Sequence, residues 1–182
     1  MDRDQILAAL TALAGRLNRA GLVGEMYVVG GAAIALAYAE RRSTRDIDAV
    51  FVPKLEIYRL AQEVGAELGL PPGWLNDAVK GFLAGDDPHA APVLDIPGLR
   101  CLVASPAMLL ALKVSAHRVG EDEQDVLLLA GVLGLDRADQ VLAVAADIFG
   151  DRLDAAARFF VEELFAQGLP TAPTARSQDP YS

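Results

Sequence analysis

The chain has 182 residues, of which 53% are hydrophobic and 23% charged, a composition typical of a globular protein with a substantial core. Its net charge of −9 argues against a protein that coats nucleic acid through bulk positive charge, and we expect no DNA partner. The single cysteine, Cys101, excludes an intramolecular disulfide, and no apolar stretch reaches the roughly 20 residues of a membrane helix. We therefore expect a cytoplasmic protein with no membrane partner.

The first half of the chain alternates helical and strand patterns. Apolar residues three and four apart indicate an amphipathic first helix, for which Asp4 is a plausible N-cap. Gly30-Gly31 interrupts the chain between a β-rich run and an alanine-rich helix. The predicted elements are, in order, helix Gln5–Arg19, strand Met26–Val29, helix Ala32–Ala39, strand Ile47–Val52, helix Leu55–Leu68 and a short helix Pro72–Lys80.

The second half begins with strands and continues with helices. Ser105-Pro106 has the order of an N-cap followed by a first-turn proline. The predicted elements are strands Val93–Ile96 and Leu99–Ala104, helices Pro106–Val119, Glu121–Leu133, Arg137–Phe149 and Asp151–Ala166, and a disordered tail over 168–182. We therefore expect an α/β core over residues 1–104 and a helical region over 105–167.

Two aspartates two residues apart carry the strongest chemical signal. Asp46 and Asp48 flank Ile47 at the start of a predicted strand, so both carboxylates point to one face with Cα atoms roughly 6–7 Å apart. Their repulsion of about 2–3 kcal/mol is a cost that a bound cation would reverse. Oxygen ligands favour Mg²⁺ or Mn²⁺, and Gly30-Gly31 before a helix allows backbone N–H groups to approach a polyphosphate. Taken alone, Gly-Gly more commonly indicates a tight turn, and Asp-x-Asp more commonly indicates a solvated strand edge.

The order of these motifs resembles a known superfamily. A hydrophobic strand, Gly-Gly, a helix and Asp-x-Asp over residues 28–51 resemble the signature of the DNA polymerase beta-type nucleotidyltransferases. The chain is similar, more closely, to the minimal nucleotidyltransferase toxins related to AbiEii, including the mycobacterial MenT group, over most of residues 25–135. The segments that carry this second resemblance are Arg41–Asp48, Trp74–Asp77, Leu110–Lys113, Arg118 and Asp122–Asp125.

The resemblance implies an α/β (α+β) fold with a small mixed sheet, and a Mg²⁺- or Mn²⁺-dependent enzyme. Such enzymes transfer a nucleoside monophosphate from a nucleoside triphosphate (NTP). In the MenT group the acceptor is the 3′ end of tRNA, which blocks aminoacylation, and a cognate antitoxin is the expected partner. The implied catalytic residues are Asp46 and Asp48, which also bind the metal, with Lys113 and Asp125. Asp95 remains an alternative third carboxylate, although the family pattern favours Asp125.

Several further residues are candidates for nucleotide binding. Arginine binds phosphate through two parallel hydrogen bonds, although a guanidinium here could instead pair with Glu40 or Asp46. Many superfamily members have Ser after the first Gly, whereas this chain has Gly31, so a phosphate contact there must come from the backbone. The complete predicted set is Gly30, Gly31, Arg41, Arg42, Thr44 and Arg45.

Other interpretations stay open on the sequence alone. Lys113 could belong to a surface salt-bridge cluster with Asp122 and Asp125, and Trp74 is more commonly a core residue than a base-stacking one. The acceptor could be a small molecule or a protein hydroxyl, which the net charge of −9 mildly favours. A non-catalytic, antitoxin-like nucleotide-binding module is a further alternative, against which the intact Asp46-x-Asp48 counts.

Overall fold

The structure is a computed structural model that describes residues 1–39, 43–78 and 86–166. A 3-10 turn over Gly150–Arg152 joins the last two helices. The elements are, in chain order, α1 (Arg3–Arg19), β1 (Gly24–Val29), α2 (Gly30–Ala37), β2 (Ile47–Val52), α3 (Lys54–Leu68), β3 (Leu75–Asn76), β4 (Ala91–Ile96), β5 (Leu99–Val103), α4 (Pro106–Ala116), α5 (Glu123–Val132), α6 (Ala138–Phe149) and α7 (Ala155–Ala166). The expected mixed α/β fold, with further helices towards the C-terminus, is confirmed.

The strands form one mixed sheet in the order β3-β2-β1-β5-β4. The central strand β1 pairs antiparallel with β2 and parallel with β5, while β3 lies parallel to β2 and β4 antiparallel to β5. The β1–β2 register places Val29 opposite Asp48. The turn from β1 into α2 therefore lies beside the start of β2, which brings the two sequence motifs together.

Helix α1 packs against α3 and β5 through the predicted apolar stripe. Its N-cap is Asp2, whose side chain accepts from the Gln5 N–H in a capping box, so the expectation of Asp4 is wrong by two residues. Gly98, with φ of +95°, forms the turn between β4 and β5, and a Cβ there would overlap the carbonyl oxygen of Ala14. Only glycine permits this close approach of the turn to α1.

The helices after β5 pack mainly on α4. Ser105 accepts a hydrogen bond from the Met108 N–H at 3.2 Å, which confirms the expected cap. Helix α4 contacts α2 as well as α5, α6 and α7, and it is buried along most of its length. This contact with α2 places the helical region against the turn that follows β1.

The segment around Trp74 corrects one prediction. Residues 75–76 form strand β3 instead of part of a short helix, because the Trp74 carbonyl accepts from the Ile47 N–H at 2.6 Å and so pairs the segment with β2. The Trp74 ring is buried and donates its Nε1–H to the Ala61 carbonyl at 2.9 Å. Trp74 is therefore a core residue.

Some predictions concern residues outside the described ranges. These are Arg41, Arg42, the end of the predicted short helix and the tail over 168–182. Among the helices of the described ranges, none combines the length and apolar character needed to cross a bilayer.

Candidate functional site

The two aspartates of the Asp-x-Asp motif lie on either side of Ile47, the first residue of β2. Ile47 between them is fully buried, whereas Asp46 and Asp48 are only partly buried. Asn76 is the register partner of Asp48 on β3, and its amide Nδ2 donates to Asp46 Oδ2 at 3.0 Å. The short strand β3 thus supplies a polar side chain that orients the first carboxylate.

The glycine turn lies directly against these carboxylates. Gly30 has φ of +63°, and a Cβ at this position would lie 3.1 Å from Asp48 Oδ2. At Gly31 a Cβ would lie 3.0 Å from Thr44 Oγ1. Helix α2 begins at Gly30, and no side chain caps its N-terminus. Its first N–H groups are therefore suited to an anion that binds beside Asp48.

Thr44 shapes the approach to the carboxylates. Its Oγ1 donates to the Asp46 carbonyl at 3.1 Å. Its backbone pairs with that of Met1 in both directions: the Thr44 N–H donates to the Met1 carbonyl, and the Met1 amino group donates to the Thr44 carbonyl. Thr44 is thereby held in place at the site, and Arg45 next to it is exposed.

The electrostatics of Asp48 favour a cation in its neighbourhood. Burial raises the pKa of Asp48, and the negative charge of Asp46 raises it further. The Asn76 amide and the positive charges of Arg118 and Lys113 act in the opposite direction without cancelling the rise. Two carboxylates that repel each other in a partly buried place are stabilised by a positive charge between them.

Helix α4 and the turn after it form the facing wall of the site. Lys113 Nζ lies 2.7 Å from Asp122 Oδ1 and 2.9 Å from Asp125 Oδ2. Both aspartate side chains have no exposed surface, and that of Lys113 is 11% exposed. An ammonium group carries three N–H donors, so Lys113 can serve a ligand while it donates to Asp122 and pairs with Asp125. These three residues therefore form a buried ion-pair cluster, in place of the surface cluster that the sequence left open.

A cleft of about 410 Å³ separates the two walls. The Asp48 carboxylate, Gly30 and Gly31 line one side, and Lys113 and Arg118 line the other. Leu112, Ala116 and Phe149 contribute an apolar portion. The cleft therefore combines an uncapped helix N-terminus, the Asp48 carboxylate and two cations around a volume suited to a small ligand, and the charge of Asp46 acts on Asp48 from beside the cleft.

The structure does not bring every candidate to the cleft. Asp95 pairs with Arg100 at 3.6 Å. Arg100 lies opposite Glu25 on β1, and Glu25 lies opposite Val52 at the far end of β2 from Asp48. Asp95 therefore lies at the end of the sheet opposite Asp48. Asp125 lies beside Lys113, so the geometry favours it over Asp95 as a partner of the site.

Sequence reasoning left two residues of this site without a role. Asn76 lies in the Trp74–Asp77 segment that carries the resemblance, but the sequence does not place it against the Asp-x-Asp strand. Asp122 lies in the Asp122–Asp125 segment, and only the folded turn shows that it contacts both Lys113 and Arg118. The signal that could have pointed to Asn76 and Asp122 is that both are polar residues within the segments that resemble the toxin family.

The donor set fits a hard divalent cation. The described ranges contain no group of three or more His, Cys, Asp or Glu side chains placed to hold a metal ion. Mg²⁺ is commonly bound through one or two carboxylates together with substrate phosphates, and Asp46 and Asp48 match that pattern. Both residues could therefore hold Mg²⁺ or Mn²⁺ when a polyphosphate is also bound.

Comparison with known proteins agrees with this chemistry. A family model described as "Nucleotidyltransferase of unknown function (DUF6036)" matches residues 5–150. This match includes both walls of the cleft. No curated protein and no solved structure gives a significant match.

Proposed function

We propose, because the chain belongs to a family of nucleotidyltransferases of unknown function, that it transfers a nucleoside monophosphate to RNA. The acceptor that we propose is the 3′ end of a tRNA. The observation that carries the transfer chemistry is the juxtaposition of Asp48 with Gly30 at the start of α2, in one cleft with Lys113. This arrangement offers the Asp48 carboxylate, with Asp46 close by, an anion site and a cation to one ligand, as an NTP requires.

In the proposed reaction, the acceptor hydroxyl oxygen forms a bond to the α-phosphorus of the NTP. The bond from that phosphorus to the oxygen bridging the α- and β-phosphates breaks, pyrophosphate leaves, and the hydroxyl proton passes to solvent. Asp46 and Asp48 would hold Mg²⁺ or Mn²⁺, which when bound offsets negative charge on the reacting phosphates. The N–H groups at Gly30 and Gly31 bind phosphate oxygens, and Lys113 stabilises charge on the leaving pyrophosphate.

The RNA acceptor and the toxin role rest on the resemblance of the motif residues to the AbiEii-related toxins. Arg45 is exposed in the loop before the carboxylates and can contact RNA phosphates. Modification of a tRNA 3′ end would stop translation, and a cell that carries this protein would need a cognate antitoxin. The net charge of −9 favours the second candidate, transfer to a small molecule or a protein hydroxyl.

One assay distinguishes these acceptors. The purified protein is incubated with Mg²⁺ and each of the four α-labelled ribonucleoside triphosphates in turn, once with total cellular RNA and once with the protein and small-molecule fractions of a cell extract, beside Asp46→Ala. Nucleotide binding is measured separately by calorimetry. We expect label on tRNA-sized RNA with the wild type alone. Label on protein or on a small molecule would replace the RNA acceptor with the second candidate. Nucleotide binding without transfer to any acceptor would contradict the proposed activity and favour a non-catalytic module.

A further inference from the structure

Asp122 is fully buried next to the two cations that line the cleft, and its carboxylate accepts four hydrogen bonds. Its Oδ1 accepts from Lys113 Nζ at 2.7 Å and from Arg118 Nη2 at 3.1 Å. Its Oδ2 accepts from Arg118 Nε at 3.0 Å and from the Arg118 backbone N–H at 3.2 Å. One carboxylate thus holds an ammonium group, a guanidinium fork and a main-chain donor.

Two neighbouring acidic residues also contact these cations. Asp125 is equally buried and forms an ion pair with Lys113. Glu121 reaches Arg118 at 3.2 Å, but its side chain is 66% exposed. Asp122 contacts both cations from a fully buried position. Burial by itself would raise the pKa of Asp122, and the hydrogen bonds from Arg118 and Lys113 outweigh burial and lower it.

The turn after α4 brings the two cations to the same place. His117 ends the helix in the left-handed conformation, with φ of +36°. The chain therefore leaves the helix axis before Arg118, whose guanidinium turns back to Asp122. Lys113 and Arg118 both line the cleft with Asp48, and the positive charge of each favours the ionised form of Asp48.

We propose that Asp122 is a positioning residue that fixes Lys113 and Arg118 as a pair of triphosphate-binding cations opposite Asp48. This role rests on the proposed nucleotidyl transfer. Arg118 is then a second phosphate contact beside Lys113: its fork is oriented by Asp122, and its side chain stays 57% exposed and accessible to a ligand. Two fixed cations opposite the metal-binding carboxylates would hold the β- and γ-phosphates on one side of the α-phosphorus.

The test compares Asp122→Asn with the matched control Glu121→Gln. Both variants remove one negative charge next to Arg118, but only the first removes the buried contact to both cations. Affinity is measured by calorimetry with inorganic tripolyphosphate and Mg²⁺, since this probe is common to all four nucleotides. We expect Asp122→Asn to weaken tripolyphosphate binding about 10- to 100-fold, as removal of an orienting group commonly does. Glu121→Gln should change it less than about twofold because exposed ion pairs contribute little.

Further variants separate positioning from general destabilisation. Arg118→Lys keeps the charge but cannot bridge both oxygens of Asp122, so its affinity should fall between those of wild type and Arg118→Gln. The double variant Asp122→Asn/Arg118→Gln should bind tripolyphosphate no more than about twofold more weakly than Asp122→Asn. Once Asp122 no longer orients Arg118, loss of the Arg118 side chain should remove little further affinity. In transfer assays the KM for the nucleotide should rise and the KM for the acceptor should not. If Asp122→Asn does not fold, the two Arg118 variants carry the test, because that side chain is mostly exposed.

The outcomes distinguish this proposal from the proposed function. Wild-type affinity in a folded Asp122→Asn, or in Arg118→Gln, would overturn the positioning role. Losses that multiply in the double variant would also overturn it. A wild type that binds tripolyphosphate without any transfer would contradict nucleotidyl transfer, while the binding comparison would still test Asp122. A wild type that binds no tripolyphosphate would overturn both.

Discussion

Replacement of Gly30 by alanine tests the close approach of the glycine turn to the carboxylates. The new Cβ would lie 3.1 Å from Asp48 Oδ2, closer than an ordinary carbon–oxygen contact. The carboxylate must therefore move by a few tenths of an ångström or turn away from α2. Because Gly30 also has φ of +63°, the substitution adds backbone strain that alanine does not tolerate well.

The two effects can be separated with Gly69→Ala. Gly69 ends α3 with a similar φ of +65°, and a Cβ there would have no atom within 4 Å. The strain should cost each variant about 1–2 kcal/mol of unfolding free energy. For a chain of this size that lowers Tm by roughly 2–8 °C. Displacement of Asp48 should lower transfer about tenfold or more in Gly30→Ala alone, since small misplacements of reacting groups have large kinetic effects.

Thermal unfolding and the rate of label transfer from an α-labelled NTP measure the two quantities. Similar Tm losses with a transfer defect confined to Gly30→Ala would agree with this geometry. Equal loss of activity in both variants would attribute the effect to strain alone. Full transfer by Gly30→Ala would refute a role for the contact between the turn and Asp48.

Three further predictions concern packing and ionisation. Trp74→Phe removes the hydrogen bond to Ala61 and should cost about 1–3 kcal/mol of unfolding free energy while transfer is unchanged; a transfer defect without a Tm loss would contradict its core role. Burial raises the pKa of Cys101 to about 12, so a thiol reagent at pH 8 should label it only after denaturation, and rapid labelling of the native protein would contradict this. The pKa of Asp122 is lowered in the folded state, so its ionised form stabilises the protein above about pH 4, and this contribution is lost as the pH falls through the folded-state pKa. The Tm difference between wild type and Asp122→Asn should therefore shrink below about pH 4, and a constant difference down to pH 2 would be inconsistent with the ion pairs.

Most of the fold and the centre of the candidate site could be predicted from local patterns in the sequence. The apolar spacing in α1 and the alternation around Ile47 depend on the chain's own periodicity, so they could be predicted without tertiary information. The order of Gly30-Gly31 and Asp46-x-Asp48 predicted that both motifs belong to one site. They meet because the glycine turn follows β1 and the aspartates lie at the start of β2, which pairs antiparallel with β1.

The remaining features depend on contacts between distant segments. Strand β3 has two residues and exists through its pairing with β2, which no propensity of Leu75 or Asn76 predicts. Sequence spacing could not show that Asp122 meets both cations. That contact arises from the left-handed turn at His117, which returns Arg118 to Asp122.

The central claim is that nucleotidyl transfer depends on the carboxylates of Asp46 and Asp48. The most direct measurement compares Asp48→Asn with Asp95→Asn. Each variant removes one carboxylate charge from the sheet, but Asp95 lies at the end opposite the cleft and pairs with Arg100. Transfer of label from an α-labelled NTP in Mg²⁺ is measured for both folded variants. We predict that Asp95→Asn retains wild-type transfer and that Asp48→Asn loses it. Transfer by Asp48→Asn at the wild-type rate would contradict the assignment of this site.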